Sequence, residues 1–439
     1  MSLVPGAPSV LASPWIRCRG GNGGDAVWTR RARGHRHRAT LATATLACLA
    51  VLLTATPAAA TWVQQHATTW GKAARTVDGD TVYVDVWGDG TSATQSIRNS
   101  GIQAMEVGQC HAAQAGALMH SLTFGKAVRL SSRYASAVSL GRPVRFVDVE
   151  TRSGYLDPQL ALLKAGQAVP LVIPPETGRW VQYSTAAQQA ALSGQNLWNP
   201  TFCGYGPQQA LPLKLWVNYD GDGNEAQNPN AEYVRLLNQG TSTLHLGGWW
   251  VRTGAQDSYR FPAGTAVPAG TYITLYVGKG ARTGQHFYWG ASAPKFGNVD
   301  EGAYGNGAYL FDPQGDLRAH AIYPCFVSCT DARKGNVRVT ADPVREVITL
   351  TNTAATRSDL SFLVVSVGGS TYELPRTWLG PGASVRVHTG TGHNTSTDYY
   401  WGRSSHLLVD SGGRVFLRTA EDIRLGCDDW GNVSCPNPL

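Results

Sequence analysis

Glu232-Tyr-Val-Arg-Leu-Leu-Asn238 and Glu346-Val-Ile-Thr-Leu-Thr-Asn352 carry Glu, Leu and Asn at the same spacing. The match continues outward in order. An apolar strand follows each, Gly248-Trp-Trp-Val251 in one and Phe362-Leu-Val-Val365 in the other. Next come Pro/Gly turns, Pro268-Ala-Gly270 and Pro381-Gly382, then alternating strands, Tyr272-Ile-Thr-Leu-Tyr276 and Ser384-Val-Arg-Val-His388. Phe287-Tyr-Trp-Gly290 answers Tyr399-Tyr-Trp-Gly402. Each copy closes on a strand, Ala308-Tyr-Leu-Phe311 or Arg414-Val-Phe-Leu417, then Asp316-Leu317 or Asp422-Ile423, then a cysteine pair. One tetrapeptide could match by chance, but this many in order mark a duplication. Each copy spans about 100 residues of short strands with turns roughly every 8–12 residues, the pattern of an all-β sandwich.

Upstream the pattern changes. Thr81-Val-Tyr-Val-Asp-Val86 and Ala127-Val-Arg-Leu130 alternate as strands. Helical stretches are predicted over Ala112 to Leu122, over Asp157 to Gly166 with Gly166 as the stop, and over Ser184 to Leu197 with a Ser/Thr cap. Strands followed by three helices read as a small barrel with helices against it. The expected architecture is mainly β and multidomain: a leader at 1–60, a barrel module at 61–205, and sandwiches at 206–330 and 331–439.

The leader reads as an export signal. Arg30, Arg31, Arg33, Arg36 and Arg38 form a basic region, Thr40 to Thr54 an apolar run, and Pro57-Ala58-Ala59-Ala60 a cleavage site. The run is shorter than the roughly 20 residues of a spanning helix, so cleavage after Ala60 is expected, with an uncleaved anchor as the alternative. No second apolar run could anchor the rest, which is expected to be secreted or held at the cell surface. Removing the leader changes the charge argument. The chain is +7, but residues 1–60 hold seven arginines and one acid, leaving 30 basic and 29 acidic residues beyond them. Net charge then says nothing about nucleic acid.

Six cysteines remain, at 110, 203, 325, 329, 427 and 435, an even count that reads as disulfides in an exported chain. No Cys-x-x-Cys pair and no His at ligand spacing supports zinc. Cys325/Cys329 and Cys427/Cys435 are natural local pairs, which leaves Cys110 with Cys203, although six cysteines allow about fifteen arrangements.

Four elements carry the chemistry of the first module. They are Val77-Asp-Gly-Asp-Thr-Val82, Ile97-Arg-Asn-Ser-Gly-Ile-Gln-Ala-Met-Glu106, Leu140-Gly-Arg142 and Gly194-Gln-Asn-Leu-Trp198. In order and spacing they resemble the thermonuclease (staphylococcal-nuclease-like) family, an OB-type five-stranded barrel with three helices that hydrolyses DNA and RNA with Ca²⁺. The resemblance implies that Asp80 is a metal ligand, joined by Gln103, the Ala104 carbonyl and Asp78. It makes Glu106 the general base and Arg98 and Arg142 the phosphate clamp. Guanidinium forks and a hard cation suit the charge that grows on phosphoryl oxygens, and a carboxylate base adds about 10²–10⁴-fold. The chain also departs from the family pattern. Gln103 stands where the family has a second metal-binding Asp, Met105 where it has Pro, Val138 and Leu140 where it has Asp and Tyr, and Val172-Ile-Pro-Pro175 where it stacks a base. Gln offers Ca²⁺ a carbonyl without charge, so weak binding is expected, in the roughly 10⁻⁴–10⁻³ M range of extracellular sites.

Glu-x-x-x-Leu-x-Asn before a Gly-rich turn and a Trp strand resembles the lamin-tail family, an immunoglobulin-like sandwich. The likeness covers roughly 213–325 well and 335–430 less well. It implies interaction or scaffold modules with an unknown surface or protein ligand. Asp220-Gly-Asp-Gly-Asn224 sets Asp220, Asp222 and Asn224 at alternate positions. It resembles a Ca²⁺ loop, with a plain Asx turn as the alternative, since Glu225 replaces the loop's Gly. His111 reads as an early helix residue, and Trp249/Trp250 as core filling.

The sequence therefore predicts a secreted Ca²⁺-dependent nuclease acting on nucleic acid, with two sandwiches behind it. The alternative is a catalytically impaired nuclease-like protein that binds nucleic acid or a cell-surface polymer, or serves as a scaffold.

Overall fold

The computed structural model describes residues 66–436 apart from 207, 210 and 299–304; the leader and its export signal lie outside the described residues. The chain is mainly β, in several sheets, and the duplicated segments fold alike. In the first copy Leu213–Asn218, Tyr233–Asn238, Tyr272–Tyr276 and His286–Tyr288 form one sheet in that order. Ser258–Arg260, Trp250–Thr253, Asn306–Phe311 and Leu317–Tyr323 form the other. The second copy repeats this with Val337–Asp342, Val347–Asn352, Ser384–His388 and Asp398–Tyr400 against Ser370–Glu373, Val364–Val367, Gly412–Arg418 and Arg424–Gly431. The alternate residues of each strand fill one core per copy, among them Val234, Leu236, Val251 and Leu310 in the first, and Ile348, Leu350, Val365 and Leu417 in the second. That is the burial a period-2 pattern dictates.

The repeated Glu and Asn are structural clamps. Glu232 accepts the backbone N–H of Lys295 (2.7 Å) and Phe296 (3.2 Å), and Glu346 those of Leu407 and Leu408 (both 3.0 Å). Asn238 donates to the carbonyls of Ser242 and Val267 and accepts from Gly240 N. Asn352 donates to those of Thr356 and Leu379 and accepts from Ala354 N. Each satisfies loop backbone that burial would otherwise orphan, so their recurrence reports fold, not chemistry.

In the first module Thr94–Asn99, Thr81–Val86, Ala67–Thr76, Ala127–Ser132 and Arg142–Thr151 lie side by side, and Arg142–Thr151 pairs back in parallel with Thr94–Asn99. The ladder therefore returns to its first strand. Three helices, α1 (Ala112–Thr123), α2 (Pro158–Lys164) and α3 (Trp180–Leu192), stand against it. Asp157 caps α2 through Leu160 N (2.9 Å), and Gly166, at φ +64°, ends it as expected. The third helix corrects the sequence reading. It starts four residues early, and Ser184 lies buried within it rather than capping it. Arg179 sets the start in a left-handed conformation (φ 62°), held by Asp148 (2.7 Å) and Asp157 (2.8 Å). Long-range ion pairs, not a cap, fix this end.

The three expected disulfides are present: Cys110–Cys203, Cys325–Cys329 and Cys427–Cys435. The first module and first sandwich share a core. Tyr309, Phe311, Leu317 and Ile322, on the sandwich's outer face, join the first module's apolar cluster, and Trp198 packs against Tyr309 (6.2 Å) and His320 (4.8 Å). Among the described residues no helix is long and apolar enough to cross a membrane.

Candidate functional site

The turn at Asp78–Thr81 is tied by its own side chains. Asp78 Oδ1 accepts from Asp80 N (3.0 Å), an Asx turn. Gly79 is required for close approach, since a Cβ there would lie 2.7 Å from Ala115 of α1 and 2.8 Å from Ala104. The turn delivers Asp80 into the interior, 4 % exposed. Asp80 Oδ2 accepts from Ala104 N (2.9 Å) and Gln103 Nε2 (2.8 Å), while Oδ1 accepts from Thr81 Oγ1 (3.2 Å) and faces Arg98 Nη1 (3.5 Å). Both oxygens are occupied.

Arg98 rises from the strand Thr94–Asn99 and is 3 % exposed. Nη1 donates to Asn99 O (2.7 Å), and Nη2 to Ile102 O (2.9 Å) and Gln103 Oε1 (2.7 Å). Its guanidinium is committed to protein acceptors. Burial pulls its pKa down, and the like charge of Arg142 adds to this, while Asp80, Asp78 and Glu106 pull the other way.

Gln103 decides the character of the site. Because Arg98 holds Oε1, the amide nitrogen points the other way. Nε2 lies 2.8 Å from Asp80 Oδ2, 3.1 Å from the Ala104 carbonyl and 3.4 Å from Glu106 Oε1. The first two are oxygens expected to surround a calcium ion, and the third belongs to the expected general base. Ca²⁺ takes roughly 6–8 oxygen ligands at 2.3–2.6 Å, and a donor N–H₂ cannot be one of them. As arranged, the residues do not fit the metal.

Glu106 is exposed beyond α1's N-terminus, and its carboxylate also accepts from Gln256 Nε2 of the first sandwich. Gln256 reaches it from a left-handed position (φ 72°) in the loop closed by Thr253 N to Asp257 O (2.9 Å). Arg252, two residues before that loop's Gly254, is 2 % exposed, and its Nε and Nη2 have no hydrogen-bond partner among the described residues. Burial pushes its pKa down to about 10, opposed by Tyr309, Asp80 and Glu106. Arg142 follows the exposed turn Leu140-Gly141 and donates to Thr81 Oγ1 (3.1 Å). Asp78 is pushed up to about 6, by burial first and then by the charge of Asp80.

The structure thus gathers every candidate of the first module: Asp78, Asp80, Arg98, Gln103, Ala104, Glu106 and Arg142. Sequence reasoning missed Arg252 and Gln256, which arrive from another module without any local motif. The Asp220 loop, read as a plain Asx turn or a calcium loop, makes contacts to the second sandwich. Asp220 pairs with Arg418 (3.2 Å), and Asp222 with Arg403 and Trp401 Nε1 (3.3 Å), all on the second sandwich, while Asn224 caps its own turn at Ala226 N (3.0 Å). His111 is buried and stacked on Phe202 at 4.2 Å, with neither ring nitrogen hydrogen-bonded.

Residues 216–324 match the Lamin Tail Domain family. No curated protein matches the chain.

Proposed function

We propose that this protein is a non-catalytic binding or scaffold protein that works outside the cytoplasm. On this reading its first module is an OB-type barrel of the thermonuclease kind, and its catalytic site is filled by its own side chains. The observation that carries the reading is the Gln103 amide nitrogen within hydrogen-bonding range of Asp80, Ala104 and Glu106, in the place a cation would take. The hydrogen bond from Gln256 to Glu106 Oε1 supports it, since it occupies one oxygen of the carboxylate that would act as base. The returning ladder of the first module supports the barrel, and the Lamin Tail Domain match over 216–324 supports an interaction role for the first sandwich.

A Ca²⁺-dependent nuclease is the second reading. What favours it is that Arg98, Glu106 and Arg142 converge on the Asp80 turn. Digestion of single-stranded DNA by the chain beginning at Thr61, with Ca²⁺ or with chelator, separates the two. We expect no cleavage in either condition. Ca²⁺-dependent cleavage that disappears in Glu106→Gln would establish the nuclease instead.

A further inference from the structure

His111 is 1 % exposed, and neither of its ring nitrogens has a hydrogen-bond partner among the described residues. A buried polar group left unpaired costs free energy, and where it persists it calls for a physical reason. Packing supplies none, since the ring's stack on Phe202 at 4.2 Å needs no nitrogen. The backbone here is held at φ 70°, a left-handed conformation uncommon outside glycine. Strained positions of this kind gather at functional sites.

Two sulfurs stand beside those nitrogens. Cys110 Sγ, Cys203 Sγ and a ring nitrogen of His111 all lie within 4.8 Å of one another. Among the described residues no other trio of Cys, His, Asp or Glu comes so close. A tetrahedral zinc ion, with bonds of about 2.0–2.3 Å, spaces such ligands about 3.3–3.8 Å apart, so small movements bring the three into range. The sequence hid this trio, because Cys203 lies 93 residues from Cys110.

The surroundings hold the trio in place and leave it a way in. The backbone N–H of Cys203 donates to Asp316 Oδ1 of the first sandwich (2.7 Å). The turn before Asp316 packs on the other cysteine, since a Cβ on Gly315, at φ +95°, would lie 3.3 Å from Cys110 Cβ. Both cysteines are half-buried, so solvent reaches the cluster from their side. Cys110 also stands just before α1, and a helix N-terminus favours the thiolate form of a cysteine.

We propose that Cys110, His111 and Cys203 form a redox-gated zinc site, in which two thiolates and one imidazole bind the ion and a fourth position faces solvent. Thiolate and imidazole are the ligands zinc takes most often. Disulfide and metal exclude one another, because sulfurs bonded to each other are not thiolates. Two molecules of a small-molecule thiol open the site. The sulfur–sulfur bond breaks, the reductant is oxidised to its own disulfide, and two cysteine thiols form. Their two protons pass to buffer as zinc binds. Loading belongs to a thiol-rich setting and the closed bond to an oxidising one. The proposal does not rest on the reading of the Asp80 site.

The test uses the chain beginning at Thr61 with Cys325, Cys329, Cys427 and Cys435 replaced by Ser, reduced with dithiothreitol and desalted without air. Titration with Co²⁺, a coloured stand-in for Zn²⁺, should give a thiolate charge-transfer band that saturates at one ion per chain. Zn²⁺ should bleach it, and the oxidised chain should show none. His111→Phe keeps a ring on Phe202 and removes both nitrogens, and it should weaken binding at least about tenfold. If the four serines cost the chain its thermal midpoint, alkylation of the reduced chain with all six cysteines is read instead. Zn²⁺ should then slow labelling of Cys110 and Cys203, and should do so less in His111→Phe. A reduced chain with no band and no zinc protection overturns the proposal, as does a His111→Phe variant that binds as tightly as its parent.

Discussion

Gln103→Asp tests whether an amide stands in for a cation. The wild-type Nε2 donates to the carboxylate of Asp80 at 2.8 Å, and a hydrogen bond to a charged group is worth about 1.5–3 kcal/mol. The aspartate removes that donor and sets a second buried carboxylate beside the first. At about 4 Å and an effective dielectric constant of 20 the repulsion is about 4 kcal/mol. Arg98, whose Nη2 lies 2.7 Å from the present Oε1, offsets part of it. A net loss of about 3 kcal/mol is expected without metal, which lowers the melting temperature by about 10 °C for a cooperative unit of roughly 150–250 residues. The same change restores a charged oxygen donor set, so calcium should now bind. At about 100-fold over its Kd, calcium returns about 2.7 kcal/mol. Thermal denaturation in chelator and in millimolar Ca²⁺ reads both effects. Wild type should melt at the same temperature in the two buffers, and the variant should melt low in chelator and recover in calcium. A wild-type midpoint that rises with calcium, or a variant indifferent to it, would refute the argument.

Two further outcomes are expected. Glu232 is buried, and burial pushes its carboxyl up to about 8. A folded pKa above the unfolded value near 4.5 means that its stabilising protonated form is fully present below pH 4.5 and is lost as pH rises through 8. Denaturant midpoints should therefore fall across that window, and Glu232→Gln should flatten the slope. Cys110–Cys203 closes a separation of 93 residues and Cys325–Cys329 one of 4. Chain entropy assigns these bonds about 4–5 and about 2 kcal/mol, so paired serine substitutions should differ in that order in denaturant titrations.

Much of the fold was legible because it repeats. Glu232 and Glu346, Asn238 and Asn352 recur because the same loops need the same backbone partners. Alternation in Tyr272–Tyr276 and Ser384–His388 follows from one face meeting the core. The candidate site was legible as a set of residues, since all lie within one module and in a known order. Its state was not. Gln103 could be read as a lost charge, but the direction of its amide depends on Arg98, five residues back and across a turn. Gln256 meets Glu106 over a separation of 150 residues, through packing between modules that no spacing records. The start of α3 escaped for the same reason, because Asp148 and Asp157 fix Arg179 where a local cap was expected.

Charge explains why the Gln256 contact and Gln103 belong together. Asp78, Asp80 and Glu106 share one site, and Arg98, Arg142 and Arg252 face it, so the guanidinia already match the carboxylates without a divalent ion. Arg252 is the costly member, buried with two nitrogens lacking hydrogen-bond partners among the described residues, and a buried cation persists only where opposite charge holds it. A calcium ion would arrive beside Arg98 and Arg252 and meet their repulsion, so restoring a carboxylate at 103 removes only half of the obstacle. Arg252→Met keeps the apolar stem over Phe311 and deletes the competing charge. Added to Gln103→Asp, it should deepen the loss of stability in chelator, because the carboxylates are then less compensated. It should also enlarge the calcium-induced rise in melting temperature beyond that of Gln103→Asp alone. An equal rise in the two variants would mean that the sandwich's arginine has no electrostatic hold on the Asp80 site.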